Sequence, residues 1–151
     1  MDLRKLTDFL EERTSARALH EAIAAETEAF AEKMKSGEGC IPLYGSNDDF
    51  RFVVRPGHVK LICHGYVQGH LTGWDTYYLC DLIMLSQSFT SGDSYVEESI
   101  YMMSDPVAGR PIARDAARVI FFWMDDPQSI SLSESLAPYG VSSSVGVGEW
   151  S

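Results

Sequence analysis

What this chain has little of narrows its class before any motif is considered. Cysteine is scarce: Cys40, Cys63 and Cys80 are the only three in 151 residues. An odd number at wide spacing is not a disulfide framework and fits a reducing, cytoplasmic setting. Cys63 and Cys80 lie inside apolar runs, where a free thiol behaves as a small buried hydrophobe. Long apolar runs are missing too. Stretches such as Val119–Met124 fall far short of the ~20 residues that cross a bilayer. The opening Met1-Asp2-Leu3-Arg4-Lys5 leads straight into charged amphipathic sequence, so no secretory signal is expected. Basic residues are few, with 12 Lys plus Arg against 22 Asp plus Glu for a formal net charge of −10. Residues 93–151 hold 9 of those acids and 3 of the bases, and no base follows Arg118. Such a chain repels phosphate backbones and anionic lipid and is drawn to basic surfaces. Phosphate-binding glycine loops and the Gly-x-Ser-x-Gly elbow are absent.

What is present describes a globular protein. An apolar content of 45% with 11% aromatics exceeds what disordered chains carry. The length suits one domain able to bury a core without disulfides or metal. Leu3, Leu6, Phe9 and Leu10 form an apolar stripe, followed by a second through Leu19, Ile23, Phe30 and Met34. Both predict amphipathic helices. Thr14 or Ser15 is placed to cap the second helix, and Gly37 to end it.

After residue 50 the composition turns β-branched and aromatic. Phe50–Val54, Val59–Val67, Trp74–Leu85 and Val119–Met124 read as strands, with Arg55-Pro56-Gly57-His58 as a tight turn. Gly65, Gly69 and Gly73 suggest a bulge or turn near 68–73. Residues 94–103 fit a helix opened by the capping-box pattern Ser94-Tyr95-Val96-Glu97, and they also alternate as a strand. Residues 111–124 allow one continuous helix, with a short helix from Ile112 leading into a strand at Val119 as the favoured reading. The resulting fold class is α+β: N-terminal amphipathic helices packed on a largely antiparallel sheet of four to five strands. One domain is expected over residues 1–138. A Gly/Ser-rich, mobile tail is expected over 139–151.

Several constellations bear on chemistry. His58, His64 and His70 recur every six residues, with Cys63, Asp75, Cys80 and Asp81 nearby. Six residues along a strand span ~20 Å, too far for the close ligand pairs of structural zinc, so no metal or other cofactor is expected. His70-Leu71-Thr72 has the His-x-Thr form used in two-histidine phosphodiesterases. Their chemistry needs two facing copies, one base and one acid, and no second copy exists here. Tyr44-Gly45-Ser46-Asn47 resembles the YGSN turn of γ-glutamylcyclotransferases. The resemblance covers four residues and implies a strand end whose backbone amides hold a small acidic substrate. In that family the turn closes the first strand near the N-terminus, whereas here 43 residues precede it. No motif around Glu97 or Glu98 matches the family's catalytic glutamate.

The acidic pairs Asp48-Asp49, Glu97-Glu98 and Asp125-Asp126 each flank an expected element. Together with the charge skew they point to a basic protein partner, since surface carboxylates speed encounter and discriminate among partners. Trp74 is the expected exposed anchor, because buried interface anchors tend to be Trp or Tyr. Small acidic domains without catalytic motifs resemble, in that general sense, immunity proteins, antitoxins and phage-encoded inhibitors. The expected function is occlusion of a basic cleft, such as that of a nuclease or another nucleic-acid-binding protein, with carboxylates imitating phosphates. The alternative is a small enzyme or small-ligand binder with its pocket near Tyr44–Asn47 and His58–His70. A third reading, an assembly subunit, predicts self-association through an apolar patch.

Overall fold

The amphipathic start of the chain folds as its pattern predicts. The computed structural model describes residues 2–37, 50–104, 109–127 and 130–141. Helix α1 spans Leu3–Leu10, and the Asp2 carboxylate caps it by accepting the Arg4 N–H at 3.0 Å. Its buried face is the predicted stripe Leu3, Leu6, Phe9 and Leu10. Helix α2 spans Ala16–Ser36. Ser15 caps it by accepting the Ala18 N–H at 3.1 Å, and Gly37 ends it at φ +72°. That left-handed conformation favours glycine because it has no Cβ to clash.

Beyond residue 50 the expected antiparallel sheet of four to five strands does not form. Among the described residues the chain is mostly helical, with seven α-helices and two short strands. Strand β1 (Phe52–Val53) pairs in parallel with β2 (Phe89–Thr90), in the register Phe52 to Phe89 and Val53 to Thr90. The first expected strand thus shrinks to two residues, and the other three are helical. Helix α3 spans Pro56–Val67. Its expected turn, Arg55–His58, is the helix start: Pro56 occupies the first turn, and the His58 ring accepts the Arg55 N–H at 2.9 Å. Proline suits that place because its missing N–H has no helical partner there anyway.

Helix α4 spans Gly73–Leu85 and opens with a reciprocal cap. Thr72 Oγ1 accepts the Asp75 N–H at 3.0 Å, and Asp75 Oδ2 accepts the Thr72 N–H at 2.8 Å. Helix α5 spans Ser94–Ser104. Its cap is Asp93, which accepts the Tyr95 N–H at 2.8 Å, rather than Ser94. Helix α6 spans Arg114–Trp123, so no strand begins at Val119. Helix α7 (Leu132–Leu136) and a 3-10 turn (Ala137–Tyr139) follow.

Helices α3 and α4 are central. Helix α4 packs between α2 and α5, while α6 packs on α3 and α7 on α6. The α3–α4 connection turns at Gly69, φ +80°, with no bulge. Gly65, inside α3, is a point of close approach. A Cβ there would sit 2.9 Å from Leu71 Cδ1 and 3.2 Å from the Ala16 methyl. Near the C-terminus, Leu132, Leu136 and Val141 are buried, and Trp123 Nε1 donates to the Ile130 carbonyl at 2.7 Å. The expected tail therefore contributes Val141 to the core, and residues 142–151 lie outside the described set. No helix among the described residues is long and apolar enough to cross a membrane.

Candidate functional site

The expected contact residues fall into three places. Asp48 and Asp49, with the Tyr44–Asn47 turn, lie outside the described residues. Trp74 lies half-buried on α4. Its ring stacks on Tyr77 at 5.7 Å and meets Phe30 edge-on at 6.3 Å, and the Lys35 ammonium lies 5.6 Å over it. It fills the α2–α4 seam. Glu97 and Glu98 are half-buried on α5, and Asp125 and Asp126 are exposed in the turn after α6. Tyr95 meets Trp123 edge-on at 5.6 Å, and Ser99 Oγ lies 3.2 Å from Met124 Sδ. Since Glu98 precedes Ser99 and Asp125 follows Met124, the start of α5 lies near the turn after α6. Burial pushes the Glu98 carboxyl above its usual range.

Sequence reasoning missed Phe122. It is 63% exposed, the most of any large apolar side chain among the described residues. It stands edge-on to Phe121 at 5.3 Å. Ala116, Ile120 and Trp123 form the buried face of α6, so Phe122 points away from the core. Helical periodicity over 114–123 would have shown this, whereas a strand from Val119 did not.

Helix α3 also reorganises the histidines. Six residues rise ~9 Å along a helix instead of ~20 Å along a strand. Two open depressions of about 580 and 450 Å³ share Glu12, Leu61 and His64 and so form one trough. The larger part adds His58, Lys60, Leu10 and Phe121, and the smaller adds Arg13, Ser15 and His70. A third depression of about 230 Å³ runs from His64 past Arg118 to Phe122. His64 is exposed at the junction of all three.

The electrostatics of the trough are mixed. Lys60 Nζ lies 2.5 Å from Asp125 Oδ1 and 4.6 Å over the Phe121 ring. His58 Nδ1 is occupied by the Arg55 N–H, so the neutral ring carries its proton on Nε2. Burial, followed by the nearby Arg55 charge, lowers the His58 pKa and favours that neutral form. Arg13 is held by Asp8 at 2.8 Å and by Glu11. Glu12 sits at φ +61°, a left-handed conformation uncommon outside glycine.

A histidine–acid pair, 55 residues apart in sequence, lies in the α2–α4 seam. His20 Nδ1 is 2.6 Å from Asp75 Oδ2. The Asp75 residue is fully buried, and its Oδ1 has no hydrogen-bond partner. Nothing in a single sequence marks this pairing.

The buried thiols offer no nucleophile. Burial pushes Cys63 up to about 12 and Cys80 well above its usual value, and a thiol rather than a thiolate is inert at neutral pH. Among the described residues no group of three His, Cys, Asp or Glu side chains is placed to hold a metal ion. Comparisons with protein-family models, with curated proteins and with solved structures found no match for this chain.

Proposed function

We propose that the protein is an acidic, protein-binding inhibitor of the immunity, antitoxin or phage anti-defence type that occludes a basic partner. One observation carries this reading: Phe122, the most exposed large apolar side chain among the described residues, stands in the last turn of the helix that is followed by Asp125 and Asp126. The Glu97–Glu98 pair lies on α5, whose Tyr95 and Ser99 pack on Trp123 and Met124. An apolar anchor followed in sequence by a carboxylate pair suits a basic cleft, because desolvating the ring supplies affinity while the charges steer encounter. Phe122 takes the anchor role first expected of Trp74, which the α2–α4 seam occupies. Asp48 and Asp49 extend the charge on the sequence evidence alone.

The test is capture from lysate of the source organism. Tagged wild type is compared with Phe122→Ala and Asp126→Lys, and with Glu28→Lys as a charge control on exposed α2. A basic protein held by wild type and control, released by salt and lost from the first two variants, is the expected result. Equal capture by all four proteins, or capture indifferent to salt, would sink the reading.

A second reading, a small-ligand binder or enzyme at His58–His70, is favoured by the trough that joins His58, His64 and His70 with Glu12.

A further inference from the structure

We infer that the trough centred on His64 binds a small anion carrying a flat apolar body, of the aromatic carboxylate class, with Lys60 and His58 taking the anionic group. This rests on the second reading above, that the trough is a ligand site, and adds the chemistry of the ligand.

The lining is divided by chemistry. Leu10, Leu61 and the Phe121 ring supply apolar wall, while Lys60, His58 and His64 supply polar groups. His58 presents a fixed donor, because its other nitrogen is occupied by the Arg55 N–H. His64 lies 6.0 Å from the Phe121 ring, so two ring faces line the same stretch. A space of about 580 Å³ lies within the ~300–1,000 Å³ of small-molecule sites. In a chain of net charge −10, Glu12 is the single acid among the described residues of this lining.

Asp125 indicates what the site accepts. Its carboxylate already occupies the Lys60 ammonium at the rim of the trough. A carboxylate ligand would exchange with that side chain, which is 59% exposed and held by one ion pair. Exposed pairs of this kind are worth little, so the exchange is easy. The competition gives opposite signs for the two partners. Removing the Lys60 charge weakens the ligand, and removing the Asp125 charge tightens it.

The experiment titrates naphthalene-2-carboxylate into the full chain with ¹³C-labelled histidine rings, with naphthalene-2-methanol as the neutral counterpart. The His58 and His64 ring signals are expected to move while His20, in the α2–α4 seam, stays still. The carboxylate should bind roughly tenfold more tightly than the alcohol, as a charge-assisted contact implies. Lys60→Gln should remove that preference, and Asp125→Asn should strengthen carboxylate binding several-fold, a gain that misfolding cannot imitate. Equal binding of both probes at His64, indifferent to Lys60→Gln, would overturn the anion assignment and leave a ligand trough. Absence of any shift with either probe would overturn both. Shifts of all histidines together, or binding that survives His64→Ala and Lys60→Gln unchanged, would place the probe elsewhere and also overturn the inference.

Discussion

Two places in the molecule gather histidine and acidic side chains, and they differ in what the groups have left to do. In the α2–α4 seam, Asp75 is fully buried, caps its own helix and holds His20 at 2.6 Å. In the trough, His64 is exposed where three depressions meet. The seam pair is occupied by structure. Its carboxylate satisfies a backbone N–H and ties two helices together, a role that persists whatever the protein binds. In the trough His64 is exposed, Lys60 is held by a surface pair, and His58 keeps its Nε2 free of the α3 cap, so a ligand can recruit them at small cost. The same residue types therefore carry opposite expectations for stability and for binding.

Mutating the two places tests that contrast most strongly. Asp75→Ala should lower stability by about 2–3 kcal/mol, since it removes the reciprocal half of the α4 cap, leaves the Thr72 N–H without its partner and takes the acid from His20. His64→Ala should stay within about 0.5 kcal/mol of wild type, as exposed substitutions usually do. Thermal and denaturant unfolding of both variants measure this directly. Equal losses would erase the contrast. A smaller effect is expected where the trough meets the core. Gly65→Ala should cost about 1–2 kcal/mol, because the added methyl meets fully buried Leu71 at 2.9 Å and the Ala16 side chain at 3.2 Å in a packed interior. Part of that loss is offset by alanine's better helix propensity. A stabilised variant would mean that Leu71 has room to move and that the α3–α2 approach is loose.

How much of this could be read in the sequence depended on how much of each helix faces water. Helices α1 and α2 bury one stripe and expose the rest, so their 3.6-residue period was visible, as were the Ser15 cap and the Gly37 stop. Helix α4 buries Tyr77, Tyr78, Leu79, Cys80, Leu82 and Ile83. With apolar residues on every side the stripe disappears, and a buried helix then looks like a central strand. The better signals were local. Thr72 and Asp75 stand three apart, as a reciprocal cap requires, and Pro56 suits a first turn as well as it suits a loop. The three histidines were noticed, but a strand assignment spread them too far apart to act together. Phe122 was lost to the same misassigned period. The His20–Asp75 pair depends on tertiary packing alone and left no trace in the sequence.

The smallest expected effect concerns Glu98 on α5. Burial raises its carboxyl above the ordinary 4.5, so the folded state holds that proton more tightly than the unfolded chain does. The resulting contribution to stability is fully present below about pH 4.5 and is lost as pH rises through the folded-state value. Glu98→Gln should therefore match wild type at low pH and be slightly the more stable at neutral pH. Unfolding at a series of pH values reads the difference, and curves that stay parallel across the range would show that Glu98 is not desolvated. The contact reading adds a sign of its own. A lysine or arginine of a basic partner placed against Glu98 would favour the carboxylate and pull its pKa back down. Complex formation would then release a proton near the raised value, and affinity would climb with pH through that window. Glu98→Gln would abolish that dependence while leaving the Phe122 anchor in place, so calorimetry of the captured partner in buffers of different ionisation heat separates the charge contribution from the apolar one.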